Sequence, residues 1–363
     1  MKNKTTEQAS FLTETAILNA MEDYVRIVDR RGRILFENES LKRFDQSESK
    51  GRPIFPLSTA TGPFLEKTMT MTEFCVAGHV FSVMNSPMYQ DGEVNAVIQV
   101  FRDTTIQNNI TVQLMNVNRK LHKEIKLART IQTKMLPRMT GFGSLRFDYA
   151  YLPTEELSGD FFDFIPLGQG RLGFYISDVV GHGVSASILT MFVRQTMRSI
   201  LEEEKMREPS KVLGTLRDRF LEIHMDEGQY FSLFYAVFDT KNHLLTYANA
   251  GHNCLPMVEQ DGNLEYLNAS GRLISSLAIK EYTYSEHSRP VKEGDRFLFY
   301  TDGAVEAKNA AGTEYGEENL ERLLLKGRSN TLQTIVRDLR HYTGEQLRDD
   351  IAIVYVENQR RKA

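Results

Sequence analysis

Apolar and polar positions alternate in four short segments of the first hundred residues, and this period of two predicts an antiparallel sheet. The turn DRRG joins the segments VRIVD and RILFEN, and the turn QDGE joins the segments HVFSVMNSPMY and EVNAVIQVFRD, so we expect two hairpins. A short helix is expected before them, in ETAILNAMEDY. Together these elements predict a small mixed α/β domain at residues 12–104.

The segment that follows has a helical period. Residues 104–135 contain neither glycine nor proline, and apolar side chains recur mostly in steps of three and four, at Ile110, Leu114, Val117, Leu121, Ala128, Ile131 and Met135. This spacing is typical of a coiled-coil seam, and it predicts a helical linker at residues 105–136. We expect two copies of the chain to form a parallel homodimer through this helix and the first domain. The alternative is a single helix whose apolar side packs on a neighbouring domain.

From Phe147 onwards the pattern returns to strands, which alternate with helices. Strands are predicted in RFDYAYL, DFFDFIPL, RLGFYISDVV, YFSLFYAVFD, HLLTYANA, LPMVEQ, LEYLN, YTYSEH, RFLFYTDG and DIAIVYV. Helices are predicted from about Val184 to Glu203, from Ser210 to about His224, and in NTLQTIVRDLRHYT. Strands in two runs, interrupted and closed by helices, predict an α+β domain at residues 137–358 with two sheets and helices on the outside.

Composition narrows the classes of function. The 363 residues carry a formal net charge of −4, so no basic excess favours nucleic acid as a partner. Cys75 and Cys254 lie far apart and outside any CxxC spacing, which indicates neither a disulfide framework nor a zinc site. No apolar run is long enough to span a bilayer, and the first residues lack the apolar segment of a signal peptide. We therefore expect a soluble, cytoplasmic protein without a membrane partner.

Acidic residues stand beside some of the most apolar segments of the chain: Asp160, Asp163, Asp178, Asp302, Asp349 and Asp350. A buried carboxylate is costly unless it is paired or bound to a metal. Mg²⁺ and Mn²⁺ prefer hard oxygen ligands and are commonly held by a few carboxylates and water, and two such ions can acidify a water for attack on phosphorus. Any one of these aspartates could be an ordinary turn residue, but together they favour a metal site.

Six segments resemble the metal-dependent protein phosphatase (PPM) family in its bacterial SpoIIE and RsbU-type branch. They are LSGDFFDFIPL, GFYISDVVGHGVSASILTMF, SLFYAVFD, TYANAGHNCLPMV, FLFYTDGAVEA and RDDIAIVYV, within a region from about Ala128 to Val356. The resemblance implies an αββα double β-sandwich with two Mn²⁺ or Mg²⁺ ions between the sheets. It also implies activity as a phosphoserine and phosphothreonine protein phosphatase.

Carried over motif by motif, the resemblance implies five metal ligands: Asp160, Asp178, Asp302, Asp349 and the main-chain carbonyl of Val179. Asp178 would bridge both ions, Asp160 and Asp178 would also take part in catalysis, and Asp350 would support the ligands. His182 would donate a proton to the leaving serine oxygen or serve only as a turn residue. Asp163 would hydrogen-bond the ligands or cap a bend. The sequence offers no clear counterpart of the arginine with which other members grip the substrate phosphate.

The first domain resembles a PAS sensor domain, through IVDRRGRILFENESLKRF and AVIQVFRDTT, with an unknown ligand. The combined resemblance implies a sensor-regulated phosphatase whose substrate is a phosphorylated STAS-type anti-sigma factor antagonist, and thereby control of a sigma factor in stress-response signalling. Two alternatives stay open. One is a catalytically silent sensor that uses a phosphatase-like domain for docking, and the other is a two-metal hydrolase of small phosphoesters.

Overall fold

The computed structural model describes residues 15–48, 55, 60–154, 157–181, 183–226, 228–327 and 330–359. The chain divides into two compact units between Leu121 and His122. In these ranges no helix combines the length and the apolar character needed to cross a lipid bilayer.

The first unit contains one five-stranded antiparallel sheet. Its strands are β1 (Tyr24–Asp29), β2 (Ile34–Glu37), β3 (Thr70–Val76), β4 (His79–Gln90) and β5 (Glu93–Asp103). Their order across the sheet is β2-β1-β5-β4-β3. Helices α1 (Glu39–Glu48) and α2 (Thr61–Glu66) belong to the same unit, and a helical turn at residues 15–19 precedes β1.

Both predicted hairpins are confirmed. β1 pairs with β2, and the Asp29 carboxylate closes their turn by accepting hydrogen bonds from the main-chain N–H groups of Arg31 and Arg33 at 2.9 and 2.8 Å. β4 pairs with β5 across a turn that places Gly92 at a φ of 80°, a conformation that glycine adopts without steric cost. β3 was not predicted. It lies at the sheet edge and none of its side chains is fully buried, so its sequence lacks the alternation of a half-buried strand.

A row of buried polar side chains crosses this sheet. Arg26 of β1, Gln99 of β5 and Asn85 of β4 lie side by side in the strand register and are each no more than 1% exposed. The Nε and Nη2 atoms of Arg26 donate to Gln99 Oε1 at 3.1 and 2.8 Å, and Gln99 Nε2 donates to Asn85 Oδ1 at 2.7 Å. Burial lowers the pKa of Arg26, so these acceptors stabilise a guanidinium that has left water.

We predict that Gln99→Leu destabilises this sheet by about 1.5–3 kcal/mol, because it removes an acceptor from a buried charge. The double variant Arg26→Met, Gln99→Leu should recover part of that loss, since no charge is then left buried without its acceptor, while Asn85 Oδ1 still loses the donor that Gln99 supplied. Urea-dependent hydrogen exchange of peptides from β1 and β5 in the full chain measures both effects. Equal protection in wild type and Gln99→Leu would show that the row does not stabilise the sheet.

Helix α3 (Thr105–Met135) confirms the predicted continuous helix and is about 46 Å long. Asp103 caps its start by accepting hydrogen bonds from the main-chain N–H and the hydroxyl of Thr105 at 2.9 and 2.5 Å. Four residues of the predicted seam are between 47% and 59% exposed: Ile110, Leu114, Val117 and Leu121. The division between the two units falls inside this helix, between Leu121 and His122. The domain limits 12–104, 105–136 and 137–358 stay predictions, and so does the coiled coil.

The second unit contains two six-stranded sheets. Its strands are β6 (Gly141–Phe142), β7 (Leu145–Leu152), β8 (Phe161–Gly168), β9 (Arg171–Val179), β10 (Tyr230–Asp239), β11 (Leu244–Ala250), β12 (Met257–Gln260), β13 (Asn263–Tyr266), β14 (Ile274–Ser275), β15 (His287–Pro290), β16 (Arg296–Tyr300) and β17 (Ile351–Asn358). One sheet has the order β15-β11-β10-β9-β8, with β14 also paired to β10, and the other has the order β13-β12-β16-β17-β7-β6.

The helices of this unit lie between its strands along the chain. They are α4 (Gly183–Arg198), which continues into a π-helical turn at Ser199–Glu203, α5 (Pro209–Glu222), the short α6 (Asp302–Val305), α7 (Glu317–Lys326) and α8 (Thr331–Thr343). Helices α4 and α5 pack on the first sheet, and α7 and α8 pack on the second. This arrangement confirms the prediction of two sheets with helices on the outside.

Phenylalanine rings fill the space between the two sheets. Phe147 of the second sheet stacks on Phe164 of the first at a centroid distance of 4.3 Å, and Phe299 contacts Phe174 and Phe234 at 4.5 and 6.0 Å. These side chains come from alternate positions of buried strands, which explains why the strand predictions for this unit were largely correct.

The strand predicted in YTYSEH is wrong. The chain forms β15 later, at His287–Pro290, where it pairs with β11. The tyrosines that produced the alternation, Tyr282 and Tyr284, pack edge to face at 5.1 Å, and Tyr284 is buried in the core from a loop. The alternation of aromatic and polar residues in YTYSEH therefore reflects tyrosines that pack on the core from a loop, and not a strand.

Candidate active site

Carboxylates from both sheets line a common cavity of about 460 Å³. Asp178 is the next-to-last residue of β9 and lies opposite Ser232 of β10. Asp302 begins α6 directly after β16, and Asp349 lies just before β17. Because β16 and β17 are neighbouring antiparallel strands, the end of one and the start of the other meet at the same edge. The main chain of Val179 lines the same cavity.

Asp160 lies deeper than these three residues. It is 3% exposed and stands immediately before β8. The Thr301 hydroxyl donates a hydrogen bond of 2.6 Å to Asp160 Oδ2 and accepts one of 2.9 Å from the main-chain N–H of Ala352. The main-chain N–H of Asp160 donates to the Ser158 hydroxyl at 3.1 Å. One Asp160 oxygen is therefore oriented by the second sheet although the residue belongs to the first.

Asp350 holds the loop that leads to Asp160. Its Oδ1 accepts hydrogen bonds from the main-chain N–H and the hydroxyl of Thr154 at 2.8 and 3.0 Å, and its Oδ2 accepts one from the main-chain N–H of Gly159 at 3.1 Å. Both carboxylate oxygens are thus used within the protein. Asp350 therefore has the contacts of a residue that supports the loop before Asp160, as the resemblance implied.

Two glycines allow the chain segments of the site to approach one another. A Cβ at Gly303 would lie 2.0 Å from the main-chain oxygen of Asp350, and a Cβ at Gly159 would lie 2.7 Å from the main-chain oxygen of Val179. No larger residue fits either position without displacing backbone. The glycines in SGD and TDG are therefore required by close packing beside the carboxylates.

Burial and neighbouring carboxylates raise the pKa of two aspartates, Asp178 and Asp160. Burial raises the pKa of Asp178 to about 7, with further contributions from the negative charges of Asp302 and Asp349. Burial also raises the pKa of Asp160 well above its ordinary value, and the charge of Asp178 adds to this effect. No lysine or arginine is found among the described residues that line the cavity. Every charged side chain among the described lining residues is therefore a carboxylate.

The donor set fits hard divalent cations such as Mg²⁺ and Mn²⁺, because every charged donor is a carboxylate oxygen. Within the described part of the chain, no three His, Cys, Asp or Glu side chains form a ready-made set for a single ion. Mg²⁺ keeps several of its waters and needs only one or two carboxylates, so carboxylates spread around a cavity of this size still suit it. The ligand assignments stay predictions.

Two further predicted residues have different outcomes. Asp163 is buried on β8, and its Oδ2 accepts a hydrogen bond from Arg198 Nε at 2.9 Å. Arg198 Nη2 and Arg194 Nε complete the ion pair at 2.8 and 3.7 Å. It thus pairs with helix α4, and neither predicted role, hydrogen bonding to the ligands or capping a bend, describes it. His182 lies outside the described residues.

The sequence indicated no individual role for three polar residues that shape the site: Thr301, Ser232 and His252. His252 is 2% exposed, and burial lowers its pKa to about 4, so its ring is neutral. Nε2 lies 3.0 Å from the Tyr300 main-chain oxygen and must carry the proton, so Nδ1 accepts from the Ser232 hydroxyl at 3.1 Å. All three stand in segments that carry the family resemblance, and each is a polar side chain within or beside a buried strand.

Comparison with known proteins agrees with this geometry. The sequence model of the family described as Stage II sporulation protein E (SpoIIE) matches residues 168–359, more than half of the chain. The chain is 26% identical over 247 residues to phosphoserine phosphatase RsbU of Bacillus subtilis, which covers 66% of this chain and 72% of RsbU. It is 29% identical over 189 residues to phosphoserine phosphatase RsbP of the same organism, which covers 51% of this chain but only 45% of RsbP.

Among solved structures, the SiaA-PP2C domain of Pseudomonas aeruginosa matches with a TM-score of 0.59 at 21% identity, over 66% of this chain and 98% of that domain. The second unit therefore has the PP2C-type phosphatase fold. The chain belongs to the SpoIIE family. The predicted enzyme class, a protein-serine/threonine phosphatase, is confirmed by this membership and by the phosphoserine phosphatases among the relatives.

We predict that Thr301→Val destabilises the second unit by about 1–3 kcal/mol, because a buried hydroxyl with two hydrogen bonds is lost. Thr301→Ser keeps the hydroxyl and should retain most of the stability. Denaturant unfolding of the full chain, followed by far-UV circular dichroism, compares the variants. A valine variant as stable as the serine variant would show that the hydroxyl link between the sheets is unimportant.

Proposed function

We propose that the chain is a phosphoserine and phosphothreonine protein phosphatase that depends on two Mn²⁺ or Mg²⁺ ions and is controlled by a PAS-like sensor domain. The observation that carries the proposal is the convergence of Asp178, Asp302 and Asp349 on one cavity, with Asp160 buried beside Asp178. These residues are far apart in sequence, and no structural requirement of the fold explains why carboxylates should meet there.

In this proposal Asp178, Asp302, Asp349 and Asp160, with the Val179 carbonyl, hold the two ions. When bound, the ions supply Lewis acidity toward the phosphoryl oxygens and lower the pKa of water. The chain itself orients Asp160 through Thr301 and holds the preceding loop through Asp350. The described lining contains no basic side chain, so a phosphate dianion enters this cavity favourably only together with the cations.

The substrate class in this proposal is a phosphorylated protein, and the STAS-type anti-sigma factor antagonist is the specific candidate. The names of RsbU and RsbP as phosphoserine phosphatases support the chemical class. The antagonist and the resulting control of a sigma factor rest on the resemblance to this branch of the family. His182 stays the candidate proton donor to the leaving serine oxygen.

The sensor part of the proposal is supported by the first unit, whose antiparallel sheet has the order β2-β1-β5-β4-β3 and is followed directly by helix α3. At the other end of that helix, Gln132 is 3% exposed and bonds to Ser158 in both directions. Gln132 Nε2 donates to the Ser158 carbonyl at 2.7 Å, and the Ser158 N–H donates to Gln132 Oε1 at 3.2 Å. The Ser158 hydroxyl in turn accepts from the main chain of Asp160. The helix is thus linked to the site by two successive contacts.

The homodimer part of the proposal is supported by the exposed apolar seam of α3. Ile110, Leu114, Val117 and Leu121 recur at coiled-coil spacing and are each about half exposed. A second α3 would remove these side chains from water. A change of packing in the sensor would then reach Ser158 as a shift between two arrangements of a paired helix.

We predict that Asp178→Asn abolishes phosphoserine hydrolysis, with a loss of at least about a thousandfold in kcat, because a ligand to both ions is removed. The assay uses a phosphoserine protein with Mn²⁺, with Mg²⁺ and with chelator. Asp148→Asn is the matched control, since Asp148 lies on β7 and does not line the cavity. Metal binding by a wild type that hydrolyses no phosphoprotein would favour the docking function instead.

We also predict that inserting two residues after Lys123 changes basal phosphatase activity several-fold or uncouples it from the sensor, because the seam is rotated relative to Gln132 by about 200°. Inserting seven residues at the same position restores the phase of a 3.5-residue repeat and should restore wild-type behaviour. Turnover with Mn²⁺ measures both variants. Identical activity in the two insertions would argue against transmission through the helix.

A further inference from the structure

A second cavity of about 470 Å³ adjoins the acidic cavity in the phosphatase unit. The two cavities share Gly251 and Leu273 as wall residues. The second cavity is otherwise formed by the segment between residues 271 and 284 and by Arg217 of α5. The two cavities therefore adjoin along a shared wall, where the backbones of Gly251 and Leu273 lie in close contact.

Strand pairing gives the distance between Asp178 and the wall that the two cavities share. Phe231 of β10 pairs with Val179 on one side and with Ile274 of β14 on the other. Asp178 and Leu273, each one residue before those partners, are thus separated by two strand spacings, or about 10 Å. An extended peptide advances about 3.3–3.6 Å per residue, so about three residues of bound substrate span the distance from Asp178 to the wall that the two cavities share.

Close backbone packing holds the segment in place. Gly251 has a φ of 74°, and a Cβ there would lie 2.5 Å from the main-chain nitrogen of Leu273. A Cβ at Gly271 would lie 1.7 Å from the main-chain oxygen of Asn249. The segment therefore rests directly on the end of β11 and its following turn. The second cavity is therefore formed by backbone segments that the fold holds in fixed positions.

The chemical character of the second cavity differs from that of the first. Leu277 is 70% exposed and Ile279 is 48% exposed, so apolar side chains stand in water at its edge. Arg272 lies with its guanidinium 5.4 Å from the centre of the Tyr282 ring, which extends the wall. No acidic residue is found among its described lining residues. The second cavity therefore does not compete with the acidic cavity for cations, and its exposed apolar residues suit contact with an apolar side chain.

We propose that this second cavity binds an apolar side chain of the phosphoprotein substrate, located about three residues from the phosphoserine, and that Leu277 and Ile279 determine this preference. The inference rests on the proposed phosphatase function and adds to it a rule for substrate choice. The acidic cavity and its ions recognise the phosphoryl group, which every phosphoserine shares. The second cavity then determines which phosphoproteins the enzyme prefers.

The test uses phosphoserine decapeptides that carry a single leucine, moved between the second and fourth positions on each side of the phosphoserine, and a parent peptide with serine in its place. Wild-type full chain with Mn²⁺ should prefer one leucine peptide by about tenfold or more in kcat/KM. Leu277→Asp should remove this preference. Hydrolysis of p-nitrophenyl phosphate, which is too small to reach the second cavity, should remain unchanged.

Leu325→Asp is the matched control, because Leu325 is an exposed leucine of α7 outside both cavities, and it should retain the peptide preference. A wild type that hydrolyses all peptides equally, or a Leu277→Asp variant that keeps the wild-type preference, overturns the substrate rule while the phosphatase function stands. A wild type that hydrolyses neither the peptides nor p-nitrophenyl phosphate overturns the phosphatase proposal and the rule together.

Discussion

Mutual repulsion among carboxylates that are partly removed from water is the constraint on which the phosphatase unit depends. Asp160 and Asp178 have raised pKa values because they are buried and because other aspartates surround them. Such an arrangement costs free energy in the absence of cations. The rest of the fold must therefore supply enough packing and hydrogen bonding to keep these groups together.

Two features of the unit supply that stabilisation. The phenylalanine-rich layer between the sheets holds the strand ends in a fixed relation, since closely packed interiors tolerate little displacement. Hydrogen bonds across the sheets then orient individual groups, as Thr301 does for Asp160 and Asp350 does for Gly159. The glycines beside the carboxylates permit the backbone contacts that this geometry requires. Packing thus holds the proposed metal ligands together before any ion binds.

The same geometry makes the site accessible to control. Asp160 follows a loop that is held by Asp350 on one side and by Gln132 of α3 on the other. A helix that shifts by a fraction of a turn would alter the second set of hydrogen bonds while leaving the sheets intact. Sensitivity of activity to the helix therefore does not require any change in the core of the phosphatase unit, which is compact by itself.

The sequence by itself determined most of the elements and the identity of the acidic residues. Strands buried between two layers carry strong apolar patterns, and carboxylates beside them are conspicuous because burial of charge is costly. The sequence did not predict β3, which lies exposed at an edge of the sheet. It also led to a wrong strand at Tyr282, because tyrosines that pack on the core from a loop produce the same alternation as a strand. Only the tertiary structure decided that Asp163 pairs with Arg198, that Thr301 links the two sheets, and that a second cavity adjoins the acidic one. The physical reason is that these features depend on contacts between residues far apart in the chain, and periodicity records which face of an element is buried but not what it is buried against.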